Sequence, residues 1–132
     1  MKLRRFSSSH SKVAKKLSAI ALSYDRDKLA AALSHVIQNA VEATDGRGPV
    51  SLRVLRRGEV AAIEIEDRGK GMDETFVREE LFKPFRSTKT AGYGIGAYQA
   101  RELIRELGGA LTVASRLGEG TVVTISMPLV RP

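Results

Sequence analysis

The spacing of the hydrophobic residues changes along this chain, and that change limits the folds open to it more than any other feature. From Leu29 to Val41, apolar residues (Leu29, Leu33, Val36, Ile37, Ala40, Val41) return at steps of three and four, which lines one stripe of a helix. From Val50 to Arg56 and from Val60 to Glu66 they alternate or nearly so, which lines one face of a strand. Arg57-Gly58-Glu59 separates the two runs and predicts a β-hairpin. A second helical stretch, Ile95 to Leu107, ends at Gly108-Gly109, and two more strand-like runs follow, Ala110 to Ser115 and Thr121 to Pro128. A helix with one apolar stripe and a sheet with one apolar face each need a second layer to cover them. The chain is therefore predicted to be α+β, a two-layer α/β sandwich with helices on one face of a mixed sheet.

The punctuation agrees. Asp25 is placed to cap the first helix, and Asp45-Gly46-Arg47-Gly48-Pro49 should stop it at about Thr44. Leu17 to Tyr24 partly alternates and is expected to be a first strand. Asp67 to Met72 is a glycine-rich loop, Asp73 to Glu80 a short helix, and Lys83 to Tyr93 a loop with no period. With 132 residues the chain can bury a real core without covalent staples. It has no cysteine, which excludes disulfides, thiolate metal sites and a thiol nucleophile. His10 and His35 are its only imidazoles.

The formal net charge of +7 invites a nucleic-acid reading, but its distribution argues against one. Residues 1–16 carry six basic groups and no acid, leaving sixteen basic against fifteen acidic groups in the other 116. The excess thus lies in a Ser-rich, non-helical arm or linker flank, residues 1–16, ahead of a nearly neutral domain at 17–132. Nucleic-acid binding also needs aromatic residues interleaved with the charge, and only Phe6 accompanies it. No apolar run is long enough for a signal peptide core or a membrane span, so the chain itself is expected to be soluble and to make no membrane contact.

Bare backbone N–H groups in glycine loops often cradle phosphates. Neither the P-loop pattern nor a G-x-G-x-x-G after the first strand is present. Three other clusters are: Asp67-Arg68-Gly69-Lys70-Gly71-Met72, Ala91-Gly92-Tyr93-Gly94-Ile95-Gly96 and Gly118-Glu119-Gly120-Thr121. Each alone reads as an ordinary turn. Upstream, Asn39 falls at the margin of the apolar helix face, where its carboxamide needs a partner. That partner is either a loop backbone or a metal ion. Between the first two clusters lies Leu81-Phe82-Lys83-Pro84-Phe85-Arg86-Ser87-Thr88-Lys89.

In this order the sequence resembles the ATP-binding catalytic domain of sensor histidine kinases, in the gyrase–Hsp90–histidine kinase–MutL ATPase superfamily. SHVIQNAVEAT with Asn39 matches its N box, DRGKGM its G1 box, LFKPF its F box and GYGIG its G2 box, with GEGT closing the series. The resemblance covers about residues 25–128. The run LFKPFRSTK…GYGIGAYQAREL with HVIQNAVEAT further resembles membrane sensor kinases of PEP-CTERM exopolysaccharide systems. Tyr93 and Ala97 depart from the Thr and Leu common in the family's G2 box.

The resemblance implies a Bergerat-type fold binding ATP and Mg²⁺. It implies that Asp67 accepts from the adenine amine, with Thr121 supporting the carboxylate directly or through water. Gly69, Gly71 and Met72 would form the loop beside the base, Gly71 letting backbone pass close to it. Asn39 would give its amide oxygen to Mg²⁺, an ion that prefers hard oxygen ligands. Gly92, Gly94, Ile95 and Gly96 would meet the phosphates at a helix N-terminus. Lys89 would reach the γ-phosphate, with Arg86 a weaker candidate, and Phe82 and Phe85 would anchor the hinge of the lid.

Hydrolysing members of the superfamily carry a general-base Glu four residues before the N-box Asn. Here that residue is His35, on the same helix face as Asn39. His35 either holds a metal-bound water or packs, and Glu42 is an alternative base one turn after Asn39. Without a carboxylate base, water is weakly activated and the γ-phosphoryl is held for a protein acceptor. Neither His10 nor His35 is a credible acceptor. The reading is therefore a protein-histidine kinase catalytic part whose acceptor histidine sits on a separate dimerisation domain, with a cognate response regulator downstream. The domain would be cytoplasmic and its parent anchored in the inner membrane. A self-contained ATPase and an anti-sigma-type serine kinase are the alternatives, and a basic nucleic-acid module a remote one.

Overall fold

The computed structural model describes Lys15, residues 25–83, residues 87–88 and residues 93–129. Helix α1 (Arg26–Ala43) begins where Asp25 caps it, its carboxylate accepting from the backbone N–H of Asp27 at 3.0 Å and of Lys28 at 3.1 Å. Its apolar stripe buries Leu29, Ala32, Val36, Ile37, Ala40 and Ala43. The helix ends at Thr44, and Asp45 and Gly46 turn the chain through the left-handed region.

The sheet runs β1 (Val50–Arg57), β2 (Val60–Asp67), β6 (Gly120–Pro128), β5 (Ala110–Arg116) in space. Every pairing among these described strands is antiparallel, where a mixed sheet was expected. The expected first strand, Leu17–Tyr24, lies outside the described residues. Alternation along β2 sends Ala61, Ile63, Ile65 and Asp67 to one face. That face meets α1 and helix α3 (Ile95–Glu106), whose Ala100 and Ile104 are fully buried, in one continuous core. The two layers of the sequence reading are thus present.

Helix α2 (Glu74–Glu79) is capped by Asp73, which accepts from the Thr75 N–H at 2.7 Å. Within the segment expected to be a loop, Ser87–Thr88 (β3) pairs with Tyr93–Gly94 (β4). Such a short backbone ladder needs no apolar period, so the sequence pattern gives no sign of it. Lys15, expected in a non-helical arm, has helical backbone and an exposed side chain. The rest of the arm lies outside the described residues. Among the described residues, no helix is long and apolar enough to cross a membrane.

Two glycines with left-handed backbone contrast an open turn with a close approach. Gly58 has φ +62° in the β1–β2 turn, with nothing within 4 Å of where a Cβ would stand. Gly71 has φ +70°, and a Cβ there would strike the Arg116 carbonyl and stand 3.2 Å from the Gly120 nitrogen. Gly58→Ala should cost about 1–2 kcal/mol for the left-handed backbone alone. Gly71→Ala should cost about 3 kcal/mol or more, because strain and collision add. Urea denaturation of the two variants checks the order; equal losses would mean the β5–β6 turn gives way freely.

Candidate functional site

A cleft opens at the Asp67 end of the sheet, between α1, α3 and the loop after β2. Its enclosed free space is about 30 Å³, room for about one water molecule, below an open mouth. Its walls are apolar: Val36 and Ala40 from α1, Ile65 from β2, Ala97 from α3, Leu111 and Val113 from β5. Among the described lining residues the polar side chains are Asn39, Asp67 and Thr121. A narrow apolar slot with a few convergent polar groups suits a flat ligand with a polar edge.

Asp67 is the last residue of β2, in phase with Ile63 and Ile65, so the sheet's own alternation carries a carboxylate into the core. It is only 5% exposed. Its Oδ1 accepts from the Gly69 N–H at 2.8 Å, and the Thr121 N–H also faces the carboxylate. Burial raises its pKa above the ordinary 3.8, the Gly69 and Thr121 N–H groups pull it back, and nearby Glu66 adds to the rise. The carboxylate is thus held in place by backbone, with capacity left to accept from a ligand.

The loop after β2 is fitted closely to its neighbours. A Cβ at Gly69 would strike the Ala43 carbonyl at the end of α1, and the Lys70 N–H donates to that carbonyl at 3.2 Å. Gly71 fits against the β5–β6 turn, and Met72 donates its N–H to Ser115 Oγ at 2.8 Å. Gly71 was expected to be small so that a base could approach; its nearest demand comes from the protein's own Arg116 backbone.

Asn39 is half-buried on α1, and no described residue hydrogen-bonds its carboxamide. A Cβ at Gly96 would sit 3.5 Å from both its Nδ2 and Oδ1, so the bare glycine leaves that group uncovered. His35, one turn earlier, is half-buried and does not line the cleft. Glu42 is exposed and accepts from Gln38 Nε2 at 3.1 Å. Phe82 lines the cleft, with the Arg101 guanidinium 4.2 Å from its ring centroid. Gly94 ends β4 and Ile95 opens α3. Lys89, Gly92, Phe85 and Arg86 lie outside the described residues.

Two contributors escaped the sequence reading. Ser115 falls in the inward register of β5 after Leu111 and Val113, and a serine in that phase was the available signal. Arg101 reads as an ordinary helix charge, and only its place beside Ala97, Ala100 and Ile104 hints that it turns inward. Among the described residues its buried Nε has no hydrogen-bond partner and lies 4.0 Å from Glu102 Oε2, and burial lowers the pKa of its guanidinium.

This is the architecture of a nucleotide-binding ATPase domain, and the chain belongs to the histidine kinase-, DNA gyrase B- and HSP90-like ATPase family, whose sequence profile matches residues 24–131. It is 36% identical over 110 residues to the C4-dicarboxylate transport sensor protein DctS of Rhodobacter capsulatus, covering 80% of this chain and 16% of that one. It is 33% identical over 106 residues to the signal transduction histidine-protein kinase AtoS of Escherichia coli (strain K12), covering 80% and 17%. The chain therefore spans about a sixth of the length of these relatives. Among solved structures, a nucleotide-free catalytic domain of histidine kinase ThkA superposes with a TM-score of 0.69 at 28% identity, over 80% of this chain and 68% of that one. Full-length ShkA in complex with AMPPNP superposes with a TM-score of 0.68 at 27% identity, over 79% and 22%.

The pKa direction at Asp67 sets a test. Its folded pKa lies above its unfolded one, so the ionised group opposes folding. That opposition is absent below the unfolded pKa and grows as pH rises through the folded one. Asp67→Asn should therefore melt no lower than the parent at pH 7, while ADP affinity falls at least about tenfold. A melting temperature several degrees lower would show that the charged carboxylate supports the fold.

Proposed function

We propose that this chain is the ATP-binding catalytic domain of a two-component sensor histidine kinase. It holds Mg-ATP for phosphoryl transfer to a histidine on a separate dimerisation domain. The observation that carries this reading is Asp67: one buried carboxylate, fixed by backbone N–H groups, in an otherwise apolar slot. A planar heteroaromatic ring entering this slot would meet apolar walls on its faces, and the carboxylate would accept from an amino group on the ring's edge. Met72 and Phe82 supply further apolar wall to the cleft.

The residues present fit a magnesium ion. Asn39 offers a hard amide oxygen with no described partner, beside the uncovered space at Gly96. Bound there, the ion would neutralise phosphate charge. The backbone N–H groups at Gly92, Gly94 and Gly96, with the start of α3, would meet phosphate oxygens, and Lys89 would reach the terminal one.

Transfer to a protein is favoured over hydrolysis by the fate of the carboxylates. Glu42 points to solvent and is engaged by Gln38, and His35 replaces the basic Glu of hydrolysing relatives. Catalysis is then positioning and charge neutralisation. The acceptor histidine and a cognate response regulator would come from the parent kinase. That parent would be anchored in the inner membrane, with this domain on the cytoplasmic side.

Mg-ADP at about 100 times its Kd should stabilise the chain by about 2.7 kcal/mol, read as a thermal shift, and an oligonucleotide should give none. With γ-labelled ATP the chain alone should acquire no acid-labile label, and should label the parent's dimerisation domain when that is added. A shift with oligonucleotide only, or label on the chain alone, would contradict the reading. Asn39→Ala should abolish the difference in ADP affinity with and without Mg²⁺; a difference that survives would take Asn39 out of the metal site.

A further inference from the structure

Ser115 makes three close approaches through one hydroxyl. Met72 N–H donates to its Oγ at 2.8 Å, the Gly120 carbonyl lies 3.1 Å away, and Thr121 Oγ1 lies 2.7 Å away. A serine hydroxyl has one hydrogen and accepts two. The carbonyl can only accept, so the Ser115 hydrogen belongs to it. The Met72 N–H takes one lone pair of Oγ, and the other is left for the Thr121 hydrogen. The opposite assignment would turn the Ser115 hydrogen to Thr121 and leave two oxygens, on Ser115 and Gly120, facing each other at 3.1 Å with no proton between them. Only the first arrangement satisfies all three contacts.

The consequence falls on the cleft. Thr121 is 6% exposed, lines the cleft and is the register partner of Asp67. With its hydrogen committed to Ser115, its oxygen can only accept. It supports Asp67 through its backbone N–H and not through its hydroxyl.

We propose that Ser115 is a positioning residue that fixes the Thr121 hydroxyl as a pure acceptor, so that Asp67 and Thr121 together select a ring bearing an amino group over one bearing an oxo group. The proposal rests on the nucleotide reading above and adds its source of base discrimination. A 6-amino purine donates to both oxygens. A 6-oxo purine would set its O6 against these oxygens and could offer them only its single N1–H, leaving at least one buried acceptor without a donor, which such sites reject strongly. Without Ser115 the Thr121 hydroxyl is free to turn and donate to an oxo group.

The test is calorimetric titration of the whole chain with Mg-ADP and with Mg-inosine diphosphate, reading the ratio of the two affinities. The parent chain should prefer ADP. Ser115→Ala should cut that ratio about tenfold, the order of one hydrogen bond. Ser115→Thr, which keeps the hydroxyl, should retain the ratio, and Ser115→Cys, which fills the space with a weak partner, should lose it. In a Thr121→Val background Ser115→Ala should change the ratio no further. A purely structural Ser115 would lower both affinities together and leave the ratio intact, which overturns the proposal. So would loss of the ratio in Ser115→Thr. A parent chain that binds ADP but does not discriminate defeats this inference alone; one that binds neither nucleotide defeats the nucleotide reading with it.

Discussion

The site depends on the register between β2 and β6. That register sets Asp67 opposite Thr121, and Ile63 and Ile65 opposite Ile125 and Val123. Side chains alternate across a strand, so a slip of one residue would send Asp67 to the outer face and expose the isoleucines. Ile63 and Ile125 are fully buried, and exposing such residues costs roughly 1.5–3 kcal/mol each. The hydrophobic core therefore holds the carboxylate in place. Asp67 itself opposes folding, since burial raises its pKa, and it stays because its neighbours are anchored.

Around that carboxylate the backbone is locked from three sides. Lys70 bonds to the end of α1, Met72 to Ser115 on β5, and Gly118 to the Lys70 carbonyl. These bonds tie the loop after β2 to the helix on one side and to the β5–β6 turn on the other. Gly69 and Gly71 are bare because those approaches leave no room for a Cβ. The backbone around Asp67 is thus fixed by the protein itself, which limits the ordering cost of binding there.

Much of this was legible in the sequence, and the reasons differ by residue. The α1 stripe and the β2 alternation appear directly as periods of three to four and of two, so the two layers followed from pattern alone. The order of the glycine clusters, with Asn39 upstream, pointed to residues of which Asn39, Asp67, Met72, Phe82 and Thr121 line one cleft. What pattern does not carry is side-chain partnership. Ser115 is a serine in an inward phase, and its three contacts depend on how the β5–β6 turn folds back on Met72. The role of Gly71 likewise depends on Arg116, forty-five residues later in the chain. The two-residue β3–β4 ladder has no hydrophobic period to betray it.

The central claim is that the Asp67 cleft is the ligand site and that the outer face of the sheet is not. Amide NMR of the whole chain titrated with Mg-ADP tests it most directly. The account predicts saturable shifts at Val36–Ala40, Asp67–Met72, Gly96–Ala97 and Ser115–Thr121, with Arg53, Glu64, Thr112 and Thr124 on the outer face unmoved. Shifts concentrated on those outer-face residues, or none anywhere at millimolar nucleotide, would contradict it.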